Sequence, residues 1–359
     1  MRTNSSTRYW IAPRGSRART NTANPPEFDL NTPDSSLGEF DLIRRFFDRG
    51  AGAQNAQHGV VLGIGDDAAL LRLPEGSELV AAVDTIVAGR HFLPTTDAHS
   101  IGHRVMAVNL SDMAAMGATP LWATLALTMP SADAEWLRRF STGLLDLARE
   151  HGVTLVGGDT TRGSLTVSVQ ILGSVPRGAA LRRSGAQAGD LLAVSGTLGD
   201  SGAGLAFALD APPNLDRGVV EALLRRFDYP TPRVQLGLAA RHVASAAMDI
   251  SDGLVGDLPK LAAASDLHAH VQVERLPLSA ALRAAVSEAQ AREWALAAGD
   301  DYELLLAVSP AMYPKLEAAA RRLNLTLTII GELSSGSGVS WSLQGADYKP
   351  TLSGYDHFS

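Results

Sequence analysis

Six short stretches of this chain each end an apolar run with aspartate, and no other feature restricts the possible folds as much. Carboxylates rarely enter apolar surroundings unless they are paired with a cation or bound to a metal ion. If the six stretches meet in the folded protein, they surround a site with hard oxygen ligands, the kind that holds Mg²⁺ against phosphate. The stretches cover residues 65–67, 83–85, 110–112, 157–160, 248–253 and 299–303.

Composition narrows the class of protein. A chain of 359 residues is long enough for two domains, each with a core of its own. It contains no cysteine, which excludes thiolate catalysis, cysteine-ligated zinc, iron–sulfur clusters and disulfides. The formal net charge of −7 argues against a nucleic-acid-binding protein. No apolar run reaches the ~18 residues of a membrane span, and we expect a cytoplasmic protein.

The first 36 residues differ in kind from the rest. They carry five arginines, no acidic residue before Glu27, and many Ser, Thr, Asn and Pro residues. This composition favours a disordered N-terminal extension, which we place at residues 1–37. An arginine- and serine-rich targeting peptide is the alternative that composition leaves open.

Helices and strands mix in both halves of the chain without the strict alternation of a doubly wound sheet. We therefore predict the α+β class. The segment Pro176–Gly189 is rich in glycine and arginine and indicates the crossing between two domains. The boundary gives an N-terminal domain over residues 38–178 and a C-terminal α/β domain over residues 179–359.

One predicted helix places an aspartate among core residues. Within Ala98–Gly117, the residues Ile101, Val105, Val108 and Asp112 recur at helical spacing. Asp112 therefore lies on the apolar face, one turn beyond Val108. An aspartate in that position needs a partner, and a cation is a natural one.

Three more aspartates follow predicted strands or turns. Strand 79–83 leads to Asp84, and strand 153–156 leads through two glycines to Asp159, each aspartate being followed by threonine. Loops at strand ends often carry working groups, so the repeated pattern raises a ligand role to equal weight with a strand-end cap. Asp67 lies in a glycine-rich turn, where a solvated carboxylate is the simpler interpretation.

The segment Asp249-Ile250-Ser251-Asp252-Gly253 is the strongest single indication of a site. Asp249 ends a predicted strand, and Ser251 or Asp252 can cap the helix that follows. Capping does not explain both acids, and a helix start also presents free N–H groups to phosphate. The segment therefore favours a metal or phosphate role.

Three further residues could contact a ligand, and for two of them an ordinary position on the protein surface is the alternative. Asp300, just before an apolar strand, could accept hydrogen bonds from a substrate. Arg183 could clamp a nucleotide phosphate or belong to a basic linker that faces water. His91 could bind a ligand or be a surface histidine.

Absent motifs also restrict the chemistry. The chain has no Gly-x-x-x-x-Gly-Lys-Ser/Thr loop, no Gly-x-Ser-x-Gly elbow and no protein-kinase signature set. Any use of ATP must therefore rely on Mg²⁺ held by aspartates.

Taken together, the motifs resemble the thiamine-monophosphate kinase family of the aminoimidazole ribonucleotide synthase-like superfamily. The resemblance runs from Gly38 to the segment GYDHF that begins at Gly354. The matching motifs between them are GIGDDAALL, VDTIVAGRHFLP, AVNLSDMAAMGATP, VGGDTTRG, RSGAQAGD, MDISDGL and GDDYEL.

The resemblance implies a fold, a reaction and a set of site residues. The fold has two domains, with the N-terminal domain contributing to a β-barrel shared in a homodimer. The reaction transfers the γ-phosphoryl group of ATP to thiamine monophosphate, with several Mg²⁺ ions. The implied Mg²⁺ ligands are Asp67, Asp84, Asp112, Asp159, Asp249 and Asp252, and the implied catalytic residues are Asp112, Asp249 and Asp252. The implied ATP contacts are Gly158, Asp159, Arg183 and Ser251. The implied contacts to thiamine monophosphate are His91, Asp300, Leu352 and Tyr355.

This chain departs from the family pattern at Val83, where threonine is frequent, at Asp300, where glutamate is usual, and at Leu352, where an aromatic residue is frequent. Two alternatives stay open. One is another ATP-using enzyme of the same fold, and the other is a catalytically inactive nucleotide-binding relative.

Overall fold

The computed structural model describes residues 38–48, 59–210, 212 and 214–355, apart from the side chains of Glu39 and Phe40. The predicted N-terminal extension, residues 1–37, lies outside the described residues. None of the described helices combines the length and the apolar character that a membrane span requires.

The N-terminal part of the described chain is built on one four-stranded sheet. The strands of this N-terminal part are β1 (Val60–Leu62), β2 (Leu70–Leu71), β3 (Ser77–Val87), β4 (Thr119–Met129), β5 (Thr154–Arg162) and β6 (Thr166–Pro176). Its helices are α1 (Glu39–Leu42), which continues as a π-helical turn over Ile43–Phe47, α2 (Ala98–Ala115) and α3 (Ala134–Glu150). The sheet has the order β3-β6-β4-β5, in which only β4 and β5 are parallel, and β1 and β2 form a separate antiparallel pair.

The C-terminal part is built on a seven-stranded sheet. Its strands are β7 (Leu191–Ser195), β8 (Ala246–Ile250), β9 (Leu267–Gln272), β10 (Glu303–Val308), β11 (Leu327–Ser335), β12 (Gly338–Leu343) and β13 (Ala346–Tyr348). Its helices are α4 (Asp200–Leu209), α5 (Arg217–Asp228), α6 (Val234–Ala240), α7 (Leu254–Ala264), α8 (Ala280–Ala285), α9 (Glu288–Ala297) and α10 (Tyr313–Arg322), with a 3₁₀ turn at Val273–Arg275. The order is β13-β12-β9-β11-β7-β10-β8, and only β9 and β12 pair in parallel. The predicted mixture of helices and sheets is confirmed.

Helix α2 connects the two sheets. It contacts β3 and β6 of the first sheet and β8 and β10 of the second. Val105, Leu110 and Met113 on this helix have no exposed surface, so its apolar character is explained by burial on several sides. Gly102 allows α3 to approach closely, because a Cβ there would lie 2.1 Å from the Phe140 carbonyl oxygen. Polar side chains on α2 can therefore reach elements of both sheets.

Two strands extend further than predicted. β3 pairs with β6 along its whole length, up to Val87 opposite Thr166, and β5 pairs with β4 up to Arg162. Asp84 and Asp159 therefore lie inside strands, and the prediction that each follows a strand end was wrong. Pairing partners set the length of a strand, and a local apolar pattern does not reveal them.

Candidate functional site

Helix α2 carries the polar side chains that bring three segments together. Asp112 lies near its C-terminal end and is half-buried. One turn earlier, Asn109 Oδ1 accepts a hydrogen bond from the backbone N–H of Asp84 at 3.2 Å. The neighbouring Ser111 Oγ donates to Asp249 Oδ2 at 2.7 Å. The helix thus holds Asp84 of β3 and Asp249 of β8 near Asp112.

These acids are near enough to one another for their charges to interact. Burial, and then the charges of Asp249 and Asp84, raise the pKa of Asp112 to about 8, while Arg183 acts in the opposite direction. Burial is the main cause that raises the pKa of Asp249 to about 6. Burial and the charge of Asp252 raise the pKa of Asp84. We call Asp84, Asp112, Asp249 and Asp252 the α2 cluster. Because burial and mutual repulsion both disfavour the charged forms, a cation would be needed to keep these carboxylates ionised together.

The turn before α7 is fixed by a carboxylate from inside the helix. Asp257 is almost fully buried, and its Oδ2 accepts the backbone N–H groups of Ser251 and Asp252, each at 2.9 Å. Lys260 Nζ lies 2.7 Å from Asp252 Oδ2 and 2.9 Å from Asp257 Oδ1. The N-cap is Gly253, without a side-chain cap. The prediction that Ser251 or Asp252 caps the helix was wrong, and the Asp252 side chain pairs with Lys260 instead.

The loop of Asp300 borders the same turn. The backbone N–H of Asp300 donates to Ser251 O, and that of Tyr302 donates to Ile250 O, both at 2.9 Å. Asp300 and Tyr302 have φ values of 68° and 50°, in the left-handed region that favours glycine. Tyr302 Oη donates to Asp300 Oδ1 at 3.2 Å, and Arg104 Nη2 lies 2.6 Å from Asp300 Oδ2. Such strained backbone often marks a functional site.

Asp67 and Asp159 line a different region, a cleft of about 1100 Å³ that also includes Gly65, Asp66 and Gly158. We call this region the β5 cleft. A Cβ on Gly158 would lie 1.9 Å from the Leu125 carbonyl oxygen, so only glycine fits against β4 at this point. Gly158 and Asp159 are themselves exposed and line the cleft, so their backbone is accessible to a ligand there.

The β5 cleft and the α2 cluster occupy different places on the N-terminal sheet. Three strand spacings separate Asp84 on β3 from Asp159 on β5, roughly 14 Å at ~4.8 Å per spacing. Cross-strand pairing puts Asp84 opposite the buried Val169, whereas Asp159 lies opposite the exposed Ala126. The two aspartates thus belong to opposite faces of the sheet. Of the six predicted metal ligands, four converge and two lie apart from them.

Of the remaining predicted residues, Arg183 and Tyr355 lie near the α2 cluster. His91 Nδ1 accepts the backbone N–H of Val87 at 3.0 Å, and Arg183 is exposed. Leu352 and Tyr355 are half-exposed, and the backbone N–H of Tyr355 donates to Asp252 O at 3.1 Å. The last described segment of the chain is thereby attached beside the α2 cluster.

Comparisons with known proteins identify the family. The chain matches AIR synthase related protein, N-terminal domain, over residues 65–175 and AIR synthase related protein, C-terminal domain, over residues 187–343. It is 44% identical over 325 residues to the thiamine-monophosphate kinase of Escherichia coli K12, covering 90% of this chain and 99% of that relative. The chain belongs to the thiamine-monophosphate kinase family. The Haemophilus influenzae member is 40% identical, with coverage of 90% and 98%.

Solved structures of the thiamine-monophosphate kinase family share the fold. The enzyme from Stenotrophomonas maltophilia is 45% identical and superposes with a TM-score of 0.77, covering 82% of this chain and 95% of that chain. A structure of AaThiL in complex with AMPPCP and TMP is 31% identical, with a TM-score of 0.68 and coverage of 92% and 100%. The predicted two-domain fold of the aminoimidazole ribonucleotide synthase type is confirmed.

Several residues at the site of this thiamine-monophosphate kinase family member escaped sequence reasoning. On α2 these are Arg104, Asn109 and Ser111, which are buried polar residues among the apolar residues of this helix. Those polar residues are a signal that the sequence contains. Asp257 and Lys260 lack such a signal, because an acid and a lysine near a helix start are common on exposed surfaces.

The α2 cluster fits a divalent cation in chemistry but does not form a complete cage. Its donors are carboxylate oxygens, which Mg²⁺ prefers. Burial, and then the charges of neighbouring acids, raise the pKa values of Asp112 and Asp249, so a bound cation would favour their ionised forms. Among the residues described, no three acidic or histidine side chains converge closely enough to hold an ion unaided. Mg²⁺ commonly keeps several waters and binds through one or two carboxylates plus substrate phosphates. An incomplete protein cage is consistent with that mode.

Proposed function

We propose that this chain transfers the γ-phosphoryl group of ATP to thiamine monophosphate and so forms thiamine diphosphate. Membership of the thiamine-monophosphate kinase family supports the proposal. The structural observation that carries it is the α2 cluster, where burial, and then the charges of neighbouring acids, raise the pKa of carboxylates from one helix and two other segments. Such a site is suited to phosphates that arrive with their own cations.

The α2 cluster would hold Mg²⁺ at the reacting phosphates, with Asp112, Asp249 and Asp252 in the catalytic roles. When bound, Mg²⁺ would neutralise charge on the phosphoryl oxygens and align donor with acceptor. Asn109, Ser111 and Asp257 keep the carboxylates in place through the hydrogen bonds described above. The attacking phosphate oxygen is already anionic at neutral pH, so the reaction needs no strong general base.

The nucleotide and the acceptor would occupy opposite sides of this centre. In the β5 cleft, Asp67 and Asp159 would hold nucleotide-bound Mg²⁺, and the open backbone at Gly158 favours close approach of phosphate. Arg183 and Ser251 would contribute further ATP contacts. The predicted contacts to thiamine monophosphate are His91, Asp300, Leu352 and Tyr355.

We further propose a homodimer in which the N-terminal sheets of two copies form a shared β-barrel. Leu79 and Val83 on the outer face of the edge strand β3 are 55% and 62% exposed, and neighbouring Leu70 on β2 is 56% exposed. An apolar face of this kind favours a protein partner, and a second copy offers the same face. The expected outcome is a dimer by light scattering that Val83→Lys converts to monomer. A monomeric wild-type protein would exclude the shared barrel.

We also propose that the domains span residues 38–178 and 179–359. The proposed location is the cytoplasm, where ATP and Mg²⁺ are abundant.

The deciding experiment measures ADP release with purified protein, ATP and Mg²⁺. Thiamine monophosphate should support turnover, whereas free thiamine and a reaction without acceptor should not. Release of ADP with a different acceptor would favour another ATP-using enzyme of this fold. ATP binding without turnover on any acceptor would indicate an inactive nucleotide-binding relative.

A further inference from the structure

Arg104 is an unusually buried cation, and the proposed reaction assigns it no role. It lies in the middle of α2 with 2% of its surface exposed. Its guanidinium carbon stacks 4.4 Å from the centre of the Phe227 ring, and Nη1 donates to Phe227 O at 2.6 Å. One side of the guanidinium is therefore fixed to the end of α5.

The other side of the guanidinium faces the Asp300 carboxylate. Arg104 Nη2 lies 2.6 Å from Asp300 Oδ2. This pair is held mainly by charge, because Nε and Nη2 have no well-aligned hydrogen-bond acceptor among the described residues. Buried guanidinium N–H groups without acceptors are costly, and apolar residues often replace a buried ion pair without loss of stability. Stability alone therefore does not explain an arginine at this position.

Asp300 itself is held from several directions. Its backbone has a left-handed conformation and is bonded to Ser251 O, while Ser201 Oγ donates to its carbonyl oxygen at 2.8 Å. Oδ2 faces Arg104 and Oδ1 accepts from Tyr302 Oη. The side chain is nevertheless 31% exposed. The result is a carboxylate that Arg104 and Tyr302 hold on two sides, with one open edge beside the turn that carries Asp252.

We propose that Arg104 is a positioning residue that fixes Asp300 as a preorganised acceptor for N–H donors or positive charge on the phosphorylated acceptor substrate. The inference rests on the proposed function, and it assigns Arg104 to affinity for the acceptor and not to affinity for ATP. Arg104 acts only through Asp300, because its own polar atoms are sealed from solvent. Preorganisation of this kind lowers the cost of ordering the site when substrate binds.

The test compares KM for each substrate, kcat and the melting temperature of Arg104→Met, Arg104→Lys, Asp300→Asn and the Arg104→Met/Asp300→Asn double variant. Arg104→Met should raise KM for thiamine monophosphate about 10- to 100-fold, as expected when the charged hydrogen bond between Asp300 and the substrate is weakened. KM for ATP should stay within about twofold, since the β5 cleft is untouched. Arg104→Lys keeps the charge and should recover part of the loss.

Arg233→Met is the matched control. Arg233 also pairs with a buried carboxylate, that of Glu303, which is close to Asp300 in sequence. Arg233 Nε lies 2.7 Å from Glu303 Oε2. Because this pair does not contact Asp300, its loss should lower the melting temperature and leave the ratio of the two KM values unchanged.

Coupling supplies the second criterion. If Arg104 acts through Asp300, the double variant should raise KM for thiamine monophosphate no further than Asp300→Asn alone. Three results would overturn the inference. The effects of Arg104→Met and Asp300→Asn on KM for thiamine monophosphate could multiply in the double variant, or Arg104→Met could raise both KM values equally. Arg233→Met could also change the ratio of the two KM values as much as Arg104→Met does. If Arg104→Met does not fold, Arg104→Lys takes its place. The ratio of the two KM values is then measured in Arg104→Lys alone and combined with Asp300→Asn, and the same criteria apply. Failure of the proposed function is distinct, since wild-type protein would then release no ADP with thiamine monophosphate.

Discussion

Glu303 and the α2 cluster lie near each other in the fold, but they differ in how far the protein neutralises the charge of their buried carboxylates. Glu303 has no exposed surface and receives hydrogen bonds from Arg226, Arg233 and Ser195. Its negative charge is therefore neutralised inside the protein. The pair of arginines also attaches the end of α5 and the start of α6 to β10.

The α2 cluster has almost no such compensation. Asp84, Asp112 and Asp249 form no ion pair among the described residues, and Ser111 is a neutral donor to Asp249. A protein that needed these acids only for its fold would pair them as it pairs Glu303. The difference indicates that the cluster is arranged for charge supplied from outside. Substitutions in the two regions should therefore affect different measurements.

The largest expected effect is the loss of turnover in Asp112→Asn. Removing one ligand of a charge-stabilising centre should lower kcat roughly 10²- to 10³-fold. The fold should be retained, and above about pH 8, where Asp112 is ionised, the metal-free variant should be slightly more stable than wild type, because asparagine removes repulsion from Asp84 and Asp249. ADP release and melting temperature measure the two effects separately. Wild-type rates at saturating Mg²⁺ would count against Asp112 as a ligand.

Glu303→Gln should give the opposite result. It leaves two arginines facing a neutral amide, and breaking a buried ion pair costs about 3–5 kcal/mol of unfolding free energy. Urea unfolding should show this loss, while kcat of the folded protein stays within a few-fold of wild type. The control is Glu288→Gln, which breaks half-exposed pairs with Arg283 and Arg292 and should cost less than about 1 kcal/mol. Equal losses in both variants would remove the contrast between the regions.

The contrast also shows what the sequence could predict. Helical periodicity placed Asp112 on the buried face of a helix, and α2 indeed runs from Ala98 to Ala115. The approach of Asp84 and Asp249 to that helix followed from the shared pattern of acids after apolar runs. These features depend on local spacing, which a sequence contains.

The missed features depend on partners distant in the chain. Asp257 binds the turn before α7 through two backbone N–H groups, and no local pattern separates it from an ordinary helix-surface acid. Likewise, Asp159 lies three strands away from Asp84 because β6 and β4 intervene. Sequence reasoning grouped all six aspartates by residue type, and only strand order separates the β5 cleft from the α2 cluster.

A smaller effect concerns pH in the absence of metal. The pKa of Asp112 is raised to about 8 and that of Asp249 to about 6, whereas aspartate in an unfolded chain titrates near 3.9. Between these values the folded state binds more protons than the unfolded state, so stability falls as pH rises through the folded-state pKa values.

With a chelator present, the melting temperature should therefore drop by about 3–5 °C between pH 6 and pH 8.5. Asp112→Asn should reduce the drop, and Mg²⁺ should largely remove it because bound metal favours the ionised carboxylate. Scanning calorimetry at several pH values checks both statements. Parallel pH profiles for wild type and Asp112→Asn would show that Asp112 does not titrate in this range.

The smallest expected effect concerns Lys260, which among the described residues is the cation that forms an ion pair with a member of the α2 cluster. Its Nζ bridges Asp252 and the buried Asp257, but its side chain is 44% exposed, so the pair with half-buried Asp252 contributes less than about 1 kcal/mol. Lys260→Met should lower the melting temperature of metal-free protein by only about 1–2 °C. Adding Mg²⁺ should then raise it more in the variant than in wild type, because the added ion replaces a missing charge. Lys315→Met is the control, because Lys315 is an exposed residue of α10. An equal response to Mg²⁺ in both variants would show that Lys260 does not compensate the cluster.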